Sequence, residues 1–300
     1  MTRRNTPRIA FIGFGEAGQA IASGLRESGI EQIAAWDILF PEADGEKLKA
    51  AAGLHGVRQA SSAADAVRDA DLIIAAVTAA SSLEAARSVL PHLTNNPYYL
   101  DINSVSPGRK IATAALIDSK ARYADVAVIA PIHPARHKTP MLIAGPHAEG
   151  IAPLLQELDM TLKIVSPEIG KAAAIKMIRS VMIKGIEALT LECFLAASRA
   201  DLLEEVTASL KNNYPSLDWT SIASYNIERM ANHGERRAAE MEESAVTLRE
   251  LGLEPLMVDG TVKRQREMGA LGKADAVQAT LDGDRAAMLK AIGAIATRKT

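Results

Sequence analysis

The chain has 300 residues, of which 48% are hydrophobic and 4% aromatic, and 34 basic against 36 acidic residues give a formal net charge of −2. This balance excludes the positive excess that a nucleic-acid backbone or an anionic membrane attracts, so we expect neither partner. A single cysteine, Cys193, excludes a disulfide framework and a thiolate metal cluster, which is typical of a cytoplasmic protein.

The first apolar run reaches glycine too early for a secretory signal, and no apolar stretch approaches ~18 residues, so we expect neither a signal peptide nor a membrane span. Strand-like and helix-like segments then alternate, which is the pattern of parallel βαβ units. The predicted strands are Arg8–Gly13, Gln32–Asp37, Asp71–Thr78, Tyr98–Asn103, Ala124–Ala130 and Met141–Gly145.

The alternation stops near Ser166, and the remaining sequence has helical periodicity, with breaks at residues 212–219 and 251–260. We therefore predict an α/β domain over residues 1–166 and an all-helical domain over residues 167–300. A chain of this length is expected to form two domains at about 100–200 residues each.

The first predicted strand ends in a GxGxxG pattern that opens a helix. Gly13 allows a tight turn, Gly15 lets the backbone approach a pyrophosphate, and Gly18 allows close packing of helix on strand. The pattern predicts a Rossmann-type, doubly wound parallel sheet; the alternative is a turn that binds nothing. The predicted cofactor contacts in this turn are Gly13, Phe14, Gly15, Glu16, Ala17 and Gly18.

A second signal supports a dinucleotide. Asp37 ends the strand-like run IAAWD, where an acid accepts hydrogen bonds from ribose hydroxyls. Residues 38–40 include no arginine for a 2′-phosphate, which favours NAD over NADP while leaving NADP open. Val77 and Thr78, at the end of a later predicted strand, are expected beside the same cofactor.

The segment Gly170–Ala197 is predicted to be one helix. Apolar residues occupy much of its circumference, which is typical of a buried helix, and Cys193 is expected to be a small buried hydrophobe. The helical series comprises Ala172, Ile175, Ile178, Met182, Ile186, Leu189 and Cys193. A polar stripe also follows it, at Lys176, Arg179, Ser180 and Lys184, and lines either a wet cleft or a solvated edge.

Four stretches together carry a family resemblance: FIGFGEAGQAIASGL, DINSVSP, DVAVIAP and GKAAAIKMIRS. They resemble the β-hydroxyacid dehydrogenase family, which includes 3-hydroxyisobutyrate dehydrogenases and, more distantly, 6-phosphogluconate dehydrogenase. The resemblance covers nearly the whole chain. It implies a Rossmann domain joined by a long helix to an all-helical domain, which is distinctive in this branch, and assembly as a homodimer or homotetramer.

The resemblance also implies site residues. The family's catalytic lysine, a general acid and base, matches Lys176. Ser180 stands where the family usually has asparagine, and Arg179 beside it is expected to contact the substrate. Asn103 and Ser104 match the loop that the family lays across nicotinamide and substrate acid.

The chain departs from the family at Ala130 and Pro131, which replace a pair of glycines that offers backbone donors to the carboxylate. The following loop, PIHPARHKTPM, offers His133, Arg136, His137 and Lys138 and is therefore expected to hold the substrate anion, chiefly through His133 and Arg136, unless it is a solvated connection. We expect no metal, because its histidines lack an acidic third ligand. Arg236 and Arg237 are expected to be solvated, with an anion clamp as the alternative.

These patterns predict an NAD-dependent dehydrogenase that moves hydride between a small 3-hydroxy acid or sugar acid and nicotinamide. Three alternatives stay open: an oxidative decarboxylase of a phosphorylated sugar acid, an imine reductase, and a nicotinamide-binding protein without catalysis.

Overall fold

The computed structural model describes residues 6–281, 283 and 285–296. They form two compact units, one ending at Lys176 and one beginning at Met177, so the division falls inside a single long helix. The strands are β1 Ile9–Ile12, β2 Ile33–Trp36, β3 Arg58–Gln59, β4 Leu72–Ala75, β5 Tyr98–Asp101, β6 Arg122–Val128, β7 Met141–Ala144 and β8 Leu162–Ser166.

The α-helices in the first part of the chain are α1 Glu16–Glu27, α2 Glu46–Leu54, α3 Ala63–Val67, α4 Ser82–Val89, α5 Pro107–Ile117 and α6 Ala148–Glu157. They are followed by α7 Lys171–Arg199, α8 Leu203–Asn213, α9 Trp219–Glu250, α10 Leu256–Leu271, α11 Asp275–Gln278 and α12 Arg285–Ala296. Short 3-10 helices occupy Ala43–Gly45, Ala79–Ser81, Leu90–His92 and Arg136–Lys138.

The strands form one sheet in the order β3-β2-β1-β4-β5-β6-β7-β8. The first six in that order are mutually parallel, and the chain switches direction across the sheet between β1 and β4. This arrangement confirms the predicted Rossmann-type fold. The carboxyl ends of β1 and β4 form the crevice where doubly wound sheets bind their ligands.

The last two strands differ from the expected parallel sheet. β7 runs antiparallel to β6, and β8 is parallel to β7. A loop is enough to join the antiparallel pair, whereas the parallel pair needs the crossover helix α6. The predicted strand set also omitted β3, which is two exposed residues, and β8, whose residues are only half-buried or exposed.

Central strands are buried on both faces, as in parallel sheets covered by helices. In β1, Ile9 and Phe11 pack into the core that includes α1 and α6. The alternate residues Ala10 and Ile12 pack into the core on the other face, with α3, α4 and α5. The period-2 alternation of side chains thus joins one short strand to two cores.

The helical unit has its own core, to which α7, α9, α10 and α12 contribute. Its fully buried members include Phe194, Ile227, Met230, Met268 and Leu289. None of the helices in the described part of the chain has the length and apolar character needed to cross a bilayer.

The prediction that α7 is buried around its circumference is wrong. The outer stripe of α7, which we define as Ile175, Ile178, Met182, Ile186 and Leu189, is between 40% and 64% exposed. Cys193 is also exposed and is not the predicted buried hydrophobe. Helical periodicity groups residues on one face correctly, but it does not say which face meets the core.

Candidate active site

The glycine turn connects β1 to α1. Gly13 has a φ of +91°, its N–H donates to the Trp36 carbonyl at 2.8 Å, and a Cβ on it would lie 2.4 Å from the Ala76 carbonyl oxygen. A Cβ on Gly18 would lie 2.6 Å from the Gly13 oxygen, whereas nothing lies within 4 Å of the Cβ position of Gly15. Packing of the chain on itself therefore requires Gly13 and Gly18. Gly15 leaves open space at the start of α1.

That open space is suited to an anion. The first N–H groups of a helix lack acceptors within the helix, and the aligned peptide dipoles favour negative charge there. Among the other predicted contacts, Phe14 has a fully buried side chain packed edge-on against Phe11 and Phe40, which leaves its backbone available. Glu16 is exposed and Ala17 half-buried in the first turn of α1.

Asp37 follows β2 directly and holds the glycine turn. Its Oδ2 accepts the Phe14 N–H at 2.7 Å, and its Oδ1 accepts the Leu39 N–H at 3.0 Å. Each carboxylate oxygen has a second lone pair, so Asp37 can hold the turn and still accept a ribose hydroxyl. Ile38, which is 79% exposed, offers an apolar surface beside this carboxylate.

Asn103 lies in the loop after β5. Its Oδ1 accepts the Val77 N–H at 2.7 Å, which orients the amide and ties the ends of β4 and β5 together. The side chain is buried, and its Nδ2 has no hydrogen-bond partner among the described residues. A buried donor without a partner is costly, so it marks a place for an acceptor from a ligand. Thr78 is exposed, and its hydroxyl donates to Ser81 at 3.1 Å.

Ser104 meets the predicted catalytic lysine. Lys176, in the second turn of α7, donates from Nζ to the Ser104 Oγ at 2.5 Å. The two residues are 72 positions apart in the chain, and both belong to the first unit. A hydrogen bond from an ammonium is about twice as strong as a neutral one and holds both groups in place.

A buried ionic cluster lies behind this loop, and sequence reasoning missed it. Lys110 of α5 is fully buried, with Nζ 3.0 Å from Asp101 Oδ1 and 3.7 Å from Asp125 Oδ1. Tyr123 donates to Asp101 Oδ2 at 2.9 Å. Burial raises the pKa of the Asp125 carboxyl, against the opposing effect of Lys110, and burial beside the two carboxylates raises the pKa of Tyr123 well above its usual value.

The predicted substrate loop is anchored to α1. Arg136 forms a two-pronged ion pair with Glu27, the last residue of α1 and the one farthest from the glycine turn. His137 is buried with Nε2 3.2 Å from the Ser28 hydroxyl, and burial lowers its pKa. His133 is exposed. The contacts favour a structural role for Arg136, and its predicted contact with a substrate acid stays a prediction.

The rest of the predicted polar stripe belongs to the helical unit. Ser180 and Lys184 are 4% and 5% exposed, and Lys184 donates to the Ser180 hydroxyl at 3.2 Å and pairs with Glu240 at 2.9 Å. These two residues therefore do not lie on a solvated edge of the helix. Arg179 is exposed.

One prediction about α9 is wrong. Arg237 is buried, and its guanidinium forms a two-pronged ion pair with Glu187 of α7, whereas Arg236 is exposed. Gln265 also donates to Glu187 Oε2, at 2.8 Å. Since the guanidinium already has a carboxylate partner, Arg237 is not a spare cation for an anion clamp. In the portion of the chain that the structure describes, no three His, Cys, Asp or Glu side chains are grouped to hold a metal.

Two family models match the chain. Residues 8–104 match the model described as NADP oxidoreductase coenzyme F420-dependent, and residues 197–268 match a domain of unknown function, DUF1932. The first match covers the glycine turn, Asp37 and the loop of Asn103 and Ser104. The second covers much of the helical unit.

Solved structures match over nearly the full length. A conserved hypothetical protein from Sinorhizobium meliloti 1021 is 34% identical with a TM-score of 0.77, covering 96% of each chain. The conserved protein MTH1747, described as structurally similar to 3-hydroxyacid dehydrogenases, is 30% identical with a TM-score of 0.69, over 88% of this chain and 97% of its own. A 3-hydroxyisobutyrate dehydrogenase from Mycobacterium tuberculosis shares the fold at 17% identity and a TM-score of 0.71, over 95% and 98% of the two chains.

A Rossmann sheet with this glycine turn, continued through one long helix into a helical unit, defines the class of nicotinamide-dependent dehydrogenases and reductases. Within that class the chain belongs to the β-hydroxyacid dehydrogenase-like proteins, in a divergent branch with its own C-terminal helical domain. This confirms the family resemblance carried by the sequence motifs.

Proposed function

We propose that the protein is an NAD-dependent dehydrogenase that moves a hydride between the hydroxyl-bearing carbon of a small 3-hydroxy acid or sugar acid and nicotinamide. The observation that carries the proposal is the contact of Lys176 Nζ with Ser104 Oγ at 2.5 Å. It joins an amine that can exchange protons to a loop in which the preceding residue, Asn103, presents a buried donor without a partner among the described residues.

A nicotinamide dinucleotide held by the glycine turn and Asp37 would supply the acceptor for the hydride that leaves the hydroxyl-bearing carbon. Lys176, as a neutral amine, takes the proton of that hydroxyl, and as an ammonium it returns the proton in the reverse reaction. The Ser104 hydroxyl and the Asn103 Nδ2 orient the substrate. Ser180, whose role is implied only by the family resemblance, stays a prediction; its hydroxyl accepts a hydrogen bond from Lys184 at 3.2 Å.

The direct test is a panel of hydroxy acids incubated with the purified protein and NAD, with NADH formation followed by absorbance. We expect turnover of at least one 3-hydroxy acid or sugar acid and little with NADP. If the protein instead reduces cyclic imines and leaves every hydroxy acid unchanged, the proposal is wrong.

Asp37→Ala is expected to weaken NADH binding by about 10–100-fold, because the ribose loses hydrogen bonds to a charged acceptor. NADPH affinity should change much less, since the carboxylate that repels its 2′-phosphate is removed. Asp37 also accepts the Phe14 N–H, and damage to the turn would weaken both cofactors equally, so the NADH/NADPH ratio is the informative quantity. Nicotinamide fluorescence titrations measure it, with the exposed Asp44→Ala as control. Equal losses for both cofactors would remove Asp37 from the ribose.

The alternatives differ in what they require. An oxidative decarboxylase of a phosphorylated sugar acid needs a phosphate clamp, but Arg136 and Arg237 already form ion pairs with Glu27 and Glu187. Activity that disappears when the substrate phosphate is removed would nevertheless favour it. An imine reductase has no need of Lys176, and a nicotinamide-binding protein without catalysis would tolerate its loss.

We also propose that the protein forms a homodimer through the outer stripe of α7. These five residues follow each other at intervals of three, four, four and three, the spacing with which one helix packs along another. A contiguous apolar stripe of this kind is unusual on a monomer surface. A second copy of the same stripe is self-complementary about a two-fold axis.

Met182→Glu, at the centre of the stripe, is expected to raise the dimer dissociation constant by about 10²-fold or more, because an unpaired charge would be buried in the interface. Sedimentation velocity over a concentration series measures the change. Ser209→Glu, at an exposed position of α8, is the control and should leave the association unchanged. A wild-type protein that stays monomeric at high concentration would refute the interface.

A further inference from the structure

A lysine with no exposed surface lies behind the loop that carries Ser104. Lys110 Nζ donates to the Asp101 carbonyl at 2.6 Å and to the Val126 carbonyl at 3.3 Å, and it lies 3.0 Å from Asp101 Oδ1. An ammonium has three N–H donors, so these contacts use all of them. The side chain is therefore held in one position by β5 and β6.

Each carboxylate beside Lys110 holds a different part of the candidate site. Asp101 Oδ1 accepts the Asn103 N–H at 3.0 Å, which fixes the start of the loop. Asp125 Oδ2 accepts the N–H groups of Gly170, Ala172 and Ala173 at 3.0, 3.1 and 3.2 Å, and so caps the beginning of α7. A carboxylate at a helix N-terminus is also favoured by the helix dipole.

Stability alone is a weak reason for such a cluster. Removing a lysine and two carboxylates from water costs several kcal/mol per ion, and well-packed apolar residues of similar volume are often as stabilising or more so. The cluster lies between the two segments that meet at the contact of Lys176 with Ser104. Lys110 attracts both carboxylates and thereby fixes the spacing between these segments.

We propose that Lys110 is a positioning residue that, through Asp101 and Asp125, aligns the Asn103–Ser104 loop with the first turns of α7 and so sets the hydrogen bond between Lys176 and Ser104. The proposal rests on the proposed function in that this hydrogen bond places the general base. Lys110 itself does not touch the reacting atoms.

The main test variant removes one charge of each sign. Lys110→Met alone would leave two buried carboxylates without their cation, which risks unfolding. Lys110→Met/Asp125→Asn keeps the local charge balance, and asparagine still offers an oxygen to the helix N–H groups. If this variant fails to melt cooperatively, Lys110→Met/Asp101→Asn/Asp125→Asn replaces it, because it removes Lys110 and leaves neither carboxylate of the cluster buried without a cation. The matched control is Arg237→Met/Glu187→Gln, which removes a buried ion pair in the other unit.

The measurement is the reactivity of the Lys176 amine toward trace acetic anhydride over a pH series, quantified by mass spectrometry of the full-length protein after digestion. Ser104→Ala defines the effect of losing the hydrogen bond and is expected to raise reactivity by about tenfold, since bonds to charged groups contribute about that much. We expect a similar rise in Lys110→Met/Asp125→Asn and none in the control pair.

A folded cluster variant with wild-type Lys176 reactivity overturns the proposal, as does wild-type reactivity in Ser104→Ala. A rise of equal size in the control pair also overturns it, because general loosening would then explain the effect. The labelling needs no substrate, so its result is independent of the proposed function. Labelling that shifts as expected in a protein that oxidises no hydroxy acid would refute the function and leave the positioning role intact.

Discussion

Lys176→Ala is expected to lower kcat by about 10²–10⁴-fold, the usual loss when a general base is removed. Cofactor affinity should stay unchanged, because the hydrogen bonds that hold the glycine turn join Gly13 to Trp36 and Asp37 to Phe14 and Leu39 and do not depend on Lys176. Without the amine, the proton of the substrate hydroxyl has no acceptor held by the Ser104 loop. The hydride step then depends on water as the base.

The matched control is Lys171→Ala. Lys171 lies in the first turn of the same helix, one turn before Lys176, and forms an exposed ion pair with Glu168. Steady-state kinetics with the hydroxy acid that the wild type oxidises measures the effect. Added methylamine should restore part of the activity of Lys176→Ala and none in the control. A loss smaller than tenfold, or no response to the amine, would remove Lys176 from the proton transfer.

Gly15→Ala is expected to weaken binding of NADH and NADPH alike by about 10–100-fold, because a methyl group would crowd the pyrophosphate at a typical cost of 1–3 kcal/mol. The folded protein itself should accept the change, since nothing lies within 4 Å of the Cβ position and the φ of −72° suits alanine. The loss of affinity therefore arises without loss of stability.

Alanine substitutions at two other glycines serve as comparison variants for Gly15→Ala. Gly13→Ala should destabilise the fold itself, because a Cβ there would lie 2.4 Å from a backbone oxygen and φ is +91°. Gly53→Ala, at an exposed helical position, should stabilise the protein by about 1 kcal/mol and leave cofactor binding unchanged. Thermal melting measures the stability of each variant and nicotinamide fluorescence measures its cofactor affinity, and together they distinguish the three variants. Wild-type affinity in a stable Gly15→Ala protein would show that the pyrophosphate does not approach this turn.

Much of the fold was predictable because it is encoded by neighbours in the chain. Short apolar runs bounded by turn residues predicted β1, β2, β4, β5, β6 and β7, and the helical half was visible from periodicity. β3 and β8 lack such runs, since their residues are exposed or half-buried. Strand direction at β7 was also missed, because an apolar run has the same appearance in either direction.

The candidate site likewise contains residues that the sequence predicted and residues that only the structure revealed. The turn from Gly13 to Gly18, the strand end at Asp37 and the motif around Asn103 and Ser104 are short segments, and their residue types and spacing predicted a site from the sequence alone. Lys110 carried no signal, because its partners Asp101 and Asp125 are 9 and 15 positions away on different strands and no spacing rule links them. The pairing of Arg136 with Glu27 likewise spans 109 positions.

Local patterns in this chain were thus sufficient for the class of fold and the kind of cofactor site, because backbone conformation and amphipathic periodicity depend on residues within a few positions of one another. Only the tertiary structure showed which face of α7 is exposed, which cations already have carboxylate partners, and that Lys176 forms a hydrogen bond with Ser104. Those properties depend on contacts between distant segments, and the energy of a charge depends on the partners and the burial that such contacts create.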